Sequence, residues 1–164
     1  MQYLFDNHTG KKAIPETLVS YKKEENKLLF EFIAKDSSLS SYSNKDNDEI
    51  YRGDVVEIFL DFGDEYYYEF EVAPNGTTFV AKIINGTPLF IKNDFFKNKA
   101  IIDGQTYKVN MAIDLDKFKQ IKHIKFNAFR IETKGIKQDY ILQALSPTLK
   151  DTFHVRDKFI DFPL

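Results

Sequence analysis

The sequence predicts an all-β protein, an antiparallel β-sandwich, and three observations carry that prediction. Several segments alternate apolar and polar residues with a period of two, as half-buried strands must, because successive side chains point to opposite faces. Turn-forming clusters such as Gly63-Asp64-Glu65, Pro74-Asn75-Gly76 and Asn85-Gly86 separate those segments. Helical spacing is confined to short stretches. Leu115, Phe118 and Ile121 predict one or two turns within 114–121, and Asp94-Phe95-Phe96-Lys97 could form another. The layout expected is an immunoglobulin-like or jelly-roll-like sandwich with one or two short helical turns.

Strands are expected near 17–21, 27–35, 55–61, 66–73, 77–84, 99–102, 107–114, 123–132 and 140–144. Segment 27–35 sets Leu28, Phe30, Phe32 and Ala34 against Leu29, Glu31, Ile33 and Lys35, so one face is fully apolar. Segments 55–61 and 66–73 are the most informative. Val56, Ile58 and Leu60, with Tyr66, Tyr68, Phe70 and Val72, are expected on the core side. Val55, Glu57, Phe59 and Asp61, with Tyr67, Glu69 and Glu71, take the other face. A three-residue loop at 63–65 places Glu57 opposite Glu71 and Asp61 opposite Tyr67. After Pro74-Asn75-Gly76, Phe79, Ala81 and Ile83 are expected to return to the core. Thr78, Val80 and Lys82 are then expected on the acidic face, with Lys82 near Glu69.

This arrangement leaves Glu57 and Glu71 without a partner in the meander, and directly opposed like charges cost ~0.2–1 kcal/mol relative to neutral pairs. Two readings follow: solvation with a structural counter-charge, for which Arg130 is one candidate, or carboxylates that accept hydrogen bonds from ligand hydroxyls or hold a cation. The long polar loop 36–49 precedes Tyr51, and loops of that length are often functional or mobile.

A chain of 164 residues fits one domain, 1–164, and can bury a core without disulfide staples. With no cysteine it has no thiolate nucleophile and no Cys-ligated metal. A net charge of −2 gives no field that would draw nucleic acid or an anionic membrane. No apolar run approaches the ~18 residues of a membrane span. The start of the chain shows no basic-then-apolar signal pattern, so a cytoplasmic location is expected if Met1 is the natural start. His8, His123 and His154 are isolated, which argues against zinc. Asp36, Asp46, Asp48 and Glu49 are hard oxygen donors that could ligate calcium, although turn chemistry alone also yields such loops. There is no Gly-x-Ser-x-Gly motif, and acids on an exposed strand face are usually solvated or paired, so no catalytic residues are assigned.

The motif Tyr51-x-x-Asp54-x-x-Glu57-Ile58-Phe59-Leu60-Asp61, followed by Tyr68-Glu69-Phe70-Glu71-Val72-x-Pro74-Asn75-Gly76, resembles family 9 carbohydrate-binding modules of the DOMON-like β-sandwich superfamily. Asn127-Ala128-Phe129-Arg130-Ile131-Glu132, Ala144-Leu145-Ser146-Pro147-Thr148, Phe153-His154-Val155 and Phe159-Ile160-Asp161-Phe162 resemble later motifs of that family in the same order. The resemblance implies non-catalytic binding of mono- or oligosaccharides, including xylan- or cellulose-derived ones, a glycoside hydrolase as partner in trans, and structural calcium in some members. It also implies an aromatic platform at Tyr51 and a hydroxyl-reading acid at Glu57; beside these, Arg52 and Arg130 are candidates to assist, and Glu71, opposite Glu57, is a further ligand-binding candidate. The chain departs from the family in having Tyr51 where many members carry Trp, and Leu145 where a second Trp is common. The alternative is the same fold with a decayed site, or one reused for another small ligand or a protein partner. Related DOMON-type sandwiches can bind haem, but Met111 alternates with Val109 and Ile113 and fills the core more simply.

Overall fold

The computed structural model describes residues 1–133 and 140–163. In chain order its strands are Gln2–Tyr3 (β1), Phe5–Asp6 (β2), Thr17–Glu24 (β3), Lys27–Lys35 (β4), Val55–Asp61 (β5), Tyr67–Val72 (β6), Thr78–Ile84 (β7), Thr87–Phe90 (β8), Phe96–Asp103 (β9), Thr106–Asp114 (β10), Lys125–Thr133 (β11), Tyr140–Ala144 (β12) and Ile160–Asp161 (β13). They form two antiparallel sheets. The first runs β1-β3-β4-β10-β9, and the second runs β2-β12-β11-β5-β6-β7-β8 with β13 paired to the start of β11. The architecture is the all-β sandwich that the alternation predicts.

Strands β1, β2, β8 and β13 were not legible, being four residues long or shorter. The helical turn expected in 114–121 is a 3-10 turn at Leu115–Lys117, where the Asp114 carboxylate accepts from the Asp116 N–H. Segment 94–97 is not helical; it is a turn that feeds β9.

Between the sheets, Leu28, Phe30, Phe32 and Ala34 of β4 and Tyr107, Val109, Met111 and Ile113 of β10 meet Val56, Ile58 and Leu60 of β5 and Tyr68, Phe70 and Val72 of β6. Met111 is thus a core residue. The Tyr107 hydroxyl donates to the Val72 carbonyl across the sandwich, so the one polar atom of that buried ring is satisfied.

A second apolar layer covers the outer face of the second sheet. It contains Val55, Phe59, Tyr67, Phe79, Ala81, Ile83, Phe129 and Ala144, closed over by Phe153 and Phe159 from the C-terminal segment. Phe79, Ala81 and Ile83 therefore lie on the acidic face, contrary to expectation. The cause is register. Glu57 does pair with Glu71, but Val72 pairs with Thr78 around a five-residue turn, with the Ala73 N–H bonded to the Thr77 carbonyl at 2.9 Å and Gly76 at φ +85°. An odd-numbered turn pairs residues of like parity, and shifting the register by one residue moves every side chain to the opposite face. Glu69 accordingly faces Ala81. Lys82 faces Tyr68 on the other side, with its ammonium 4.4 Å from the Tyr66 ring centre and 5.6 Å from that of Tyr68.

Arg130 also departs from its expected role. It pairs with Val56 in β11, and its guanidinium crosses to the first sheet, donating to Thr17 Oγ1 at 3.0 Å, the Lys35 carbonyl at 3.0 Å and Asp36 Oδ2 at 2.6 Å. It is fully buried there, and neither counters Glu57 and Glu71 nor reaches a ligand on the outer face. Removing one partner of a buried pair leaves an uncompensated charge, so Arg130→Met is expected to destabilise the protein by about 3–5 kcal/mol. Urea denaturation of the variant beside the wild type measures this, and an unchanged midpoint would show that the pair carries no such weight.

Candidate functional site

The acidic face opens into a cleft of about 510 Å³ bordered by the aromatic rings of the C-terminal segment. Its floor is Glu57, Glu69 and Glu71, which strand alternation places together on the paired strands β5 and β6. Tyr51, Phe79 and Phe90 line one side, while Asp151, Thr152, Phe153 and His154 line another.

Tyr51 is held by its surroundings and not by a strand. It sits in a 3-10 turn, Ile50–Arg52, whose Ile50 is fully buried. Next to it the backbone of the 36–49 loop's extension packs onto Gly53, where an added Cβ would lie 2.7 Å from the Tyr42 nitrogen and 2.9 Å from the Ser40 carbonyl oxygen. Asp54 locks that contact by accepting from the Ser40 N–H at 2.6 Å and the Thr133 N–H at 2.9 Å. Further along, the loop is stitched to β7: the Asn47 N–H bonds to the Thr78 carbonyl at 2.8 Å, and Asn47 Oδ1 accepts from the Val80 N–H at 2.9 Å. The result is a Tyr51 ring 37% exposed at the cleft, edge-on to Phe79 at 6.2 Å, with Phe90 edge-on to Phe79 at 5.2 Å.

The opposite wall is also fixed. The His154 ring stacks on Phe59 at 5.1 Å, and its Nδ1 lies 2.5 Å from the Tyr67 hydroxyl. Burial lowers the His154 pKa, favouring the neutral ring, and raises that of Tyr67. Phe153 stacks on Phe129 at 4.2 Å.

The electrostatics of the floor set it apart. Asp61, on the same face, is gripped by Arg156 at 2.7 and 2.6 Å; burial pushes its carboxyl up, but the Arg156 and Gly63 donors and the nearby positive charge outweigh that and hold it below the ordinary range. Among the described residues, Glu57, Glu69 and Glu71 have no such partner. Burial, then the Glu69 charge, pushes Glu57 well up. Burial, then the Glu57 and Glu69 charges, does the same to Glu71, and burial raises Glu69 to about 7. A hydrogen bond between Glu69 and Glu71 requires a proton on one of them. The floor can therefore both donate and accept.

Of the sequence-predicted ligand-binding residues, Tyr51, Glu57 and Glu71 meet in this cleft, while Arg52 and Arg130 do not line it. Arg52 is ion-paired to Glu49 at 2.7 Å and lies over the Tyr42 ring. The proposed calcium ligands are dispersed and already engaged. Asp36 binds Arg130 and the Ser38 N–H, Asp46 accepts from the Thr78 N–H and hydroxyl, Asp48 accepts from the Glu49 N–H, and Glu49 pairs with Arg52. Among the described residues they form no shared metal-ligating group. Sequence reasoning missed Glu69, Phe90, Phe153 and His154 as cleft residues. Counting the 73–77 turn as five residues exposes Glu69, whereas the other three arrive through tertiary contacts. Leu145, at the position where a second aromatic ring is common, is buried in the inter-sheet core.

No family model matches the sequence. A curated relative described as an extracellular protein, from Arthroderma benhamiae, is 28% identical over 176 residues, covering 90% of this chain and 78% of the relative. Among solved structures, a Bacteroides uniformis protein provisionally described as carbohydrate-binding superposes with a TM-score of 0.79 at 18% identity, covering 97% of this chain and 84% of that one. A family 9 carbohydrate-binding module from Caldicellulosiruptor kristjanssonii superposes in its glucose complex at 0.63, with 18% identity and coverage of 87% and 72%. Its cellotriose complex gives 0.61, with 20% identity and coverage of 87% and 71%. The fold is that of a family 9 carbohydrate-binding module.

The raised carboxyls make a pH prediction. Their folded pKa values lie above the unfolded value near 4.5, so between those limits the folded state binds more protons and its stability falls as pH rises. Their contribution is complete below pH ~4.5 and is lost upward through about 7 and beyond. Glu71→Gln should flatten this dependence, gaining on the wild type by on the order of 1–3 kcal/mol between pH 5 and pH 8 in metal-free buffer. Chemical denaturation across that range tests it, and parallel pH profiles would refute the cause given.

Proposed function

We propose that the chain binds a mono- or oligosaccharide in this cleft without cleaving it, the sugar stacking on Tyr51 and being read by the glutamate floor. One observation carries the reading: a partly exposed aromatic ring and a set of buried carboxyls without basic partners among the described residues line the same cleft. A pyranose presents an apolar C–H face that packs on an aromatic ring, and vicinal hydroxyls that pair with carboxylates through charge-assisted hydrogen bonds. Phe90, 49% exposed, supplies a further apolar surface. Glucose and cellotriose, the ligands of the family 9 module of like fold, are the first sugars to try.

Binding without cleavage is supported by the grouping of the three carboxyls on one pair of strands. Hydrolysis needs two acids flanking a glycosidic bond, roughly 5–5.5 Å apart for retention or 6.5–9.5 Å for inversion. Here Glu57, Glu69 and Glu71 lie side by side on β5 and β6, each offering an oxygen within 4.8 Å of the others. Affinity is expected to be weak, because a single ring contributes stacking and association must first overcome lost translational and rotational freedom.

Calorimetric or NMR titration with glucose, cellotriose and xylo-oligosaccharides should show binding that weakens at least tenfold in Tyr51→Ala and in Glu57→Ala, equivalent to about 1.4 kcal/mol. Equal binding by all three proteins would place the site elsewhere, and no binding at high concentration would favour a decayed or repurposed site. Incubation with xylan, cellulose and aryl-glycosides should release no product above blank; turnover abolished in Glu57→Gln would overturn the non-catalytic reading.

A further inference from the structure

Glu57, Glu69 and Glu71 converge so that one carboxylate oxygen of each lies within 4.8 Å of the others. A single cation can span that gap, since hard divalent ions sit ~2.3–2.6 Å from carboxylate oxygens. The chain supplies its other buried aspartates from within. Asp36 has Arg130, Asp61 has Arg156, and Asp54 has the N–H groups of Ser40 and Thr133. Two basic residues of neighbouring segments are committed elsewhere: Lys82 lies over Tyr66 on the opposite face and Arg52 is held by Glu49.

A second observation is independent of the clustering. Glu71 is 1% exposed, and its Oε2 is buried with no hydrogen-bond partner. Glu57, 2% exposed, lies directly opposite Glu71 in the ladder of β5 and β6. Buried polar atoms in folded proteins are almost always satisfied, and an exception asks for an explanation, of which a bound ion is one. Both side chains line the cleft, so the missing partner can enter from solvent.

We propose that Glu57, Glu69 and Glu71 together hold one divalent cation at the floor of the cleft, of the hard, oxygen-preferring class to which calcium belongs. All-oxygen donor sets select calcium, magnesium or manganese over softer metals. Three glutamates fill only part of a calcium coordination shell of six to eight oxygens, leaving positions that face the cleft. Paired hydroxyls of a sugar lying on Tyr51 complete that shell. Only this last step rests on the carbohydrate reading above.

Calorimetric titration of the chelator-treated 164-residue chain with calcium chloride, in the absence of sugar, tests the site directly. The expected result is binding of one ion per chain together with a rise in Tm. Glu57→Gln and Glu71→Gln keep the side-chain shape and remove buried repulsion, so they should fold while losing at least tenfold in calcium affinity. No heat and no Tm shift with calcium, magnesium or manganese would overturn the proposal, as would undiminished binding in both variants. Cellotriose titrations with and without calcium are scored separately. Silence in both removes the carbohydrate reading and leaves the ion site standing, whereas sugar binding by a protein that takes up no cation removes the ion site alone.

Discussion

A sheet covered on both faces has no side on which charge is simply solvated, and β5, β6 and β7 are in that position, with the sandwich core beneath and a second aromatic layer above. Each carboxylate placed there needs a specific partner, because desolvation penalises the ionised form more than distant charges can relieve. Asp61 receives a two-pronged guanidinium from Arg156, and Asp54 becomes the anchor of the loop that presents Tyr51. The glutamates of the floor receive nothing comparable from the described residues, and they line the cleft. The polar demand of the fold and the location of its cleft thus have a common origin in two-sided burial.

Much of the sandwich was legible because its strands obey a period of two over long stretches. The opposition of Glu57 and Glu71 followed from alternation and a short loop, and the ladder has that pair. The face of β7 was misread for a local reason, one residue in the count of a turn, and with it went the partner assigned to Glu69. Arg130 was misread for a different one: a charged residue on a strand reads as outward-facing, and only tertiary structure brings Asp36, Thr17 and the Lys35 carbonyl to meet it in the interior. Phe90 lies on a strand of four residues, too short for a pattern. His154 comes to the cleft through its contacts with Phe59 and Tyr67, nearly a hundred positions away, which no local spacing encodes.

The aromatic content of the cleft differs from what motif correspondence alone conveys. Leu145 turns into the core and its N–H bonds to the Ala128 carbonyl at 2.8 Å, so that position contributes to packing and not to the cleft wall. Apolar surface instead comes from the 3-10 turn, β7 and β8, in rings that meet edge to face in the row Tyr51, Phe79, Phe90. Such a row forms one side of a groove and not a pair of parallel plates, and it suits a ligand that lies along the sheet.

The Arg130 guanidinium also has a geometric consequence. Its backbone belongs to one sheet and its acceptors belong to the other sheet and the loop that leaves it, at fixed directions set by a planar fork. Apolar side chains tolerate sliding past one another, since dispersion contacts are many and undirected, but a forked donor does not. The residue therefore works as a dowel between two layers, selecting one relative alignment from the several that a greasy interface alone would accept.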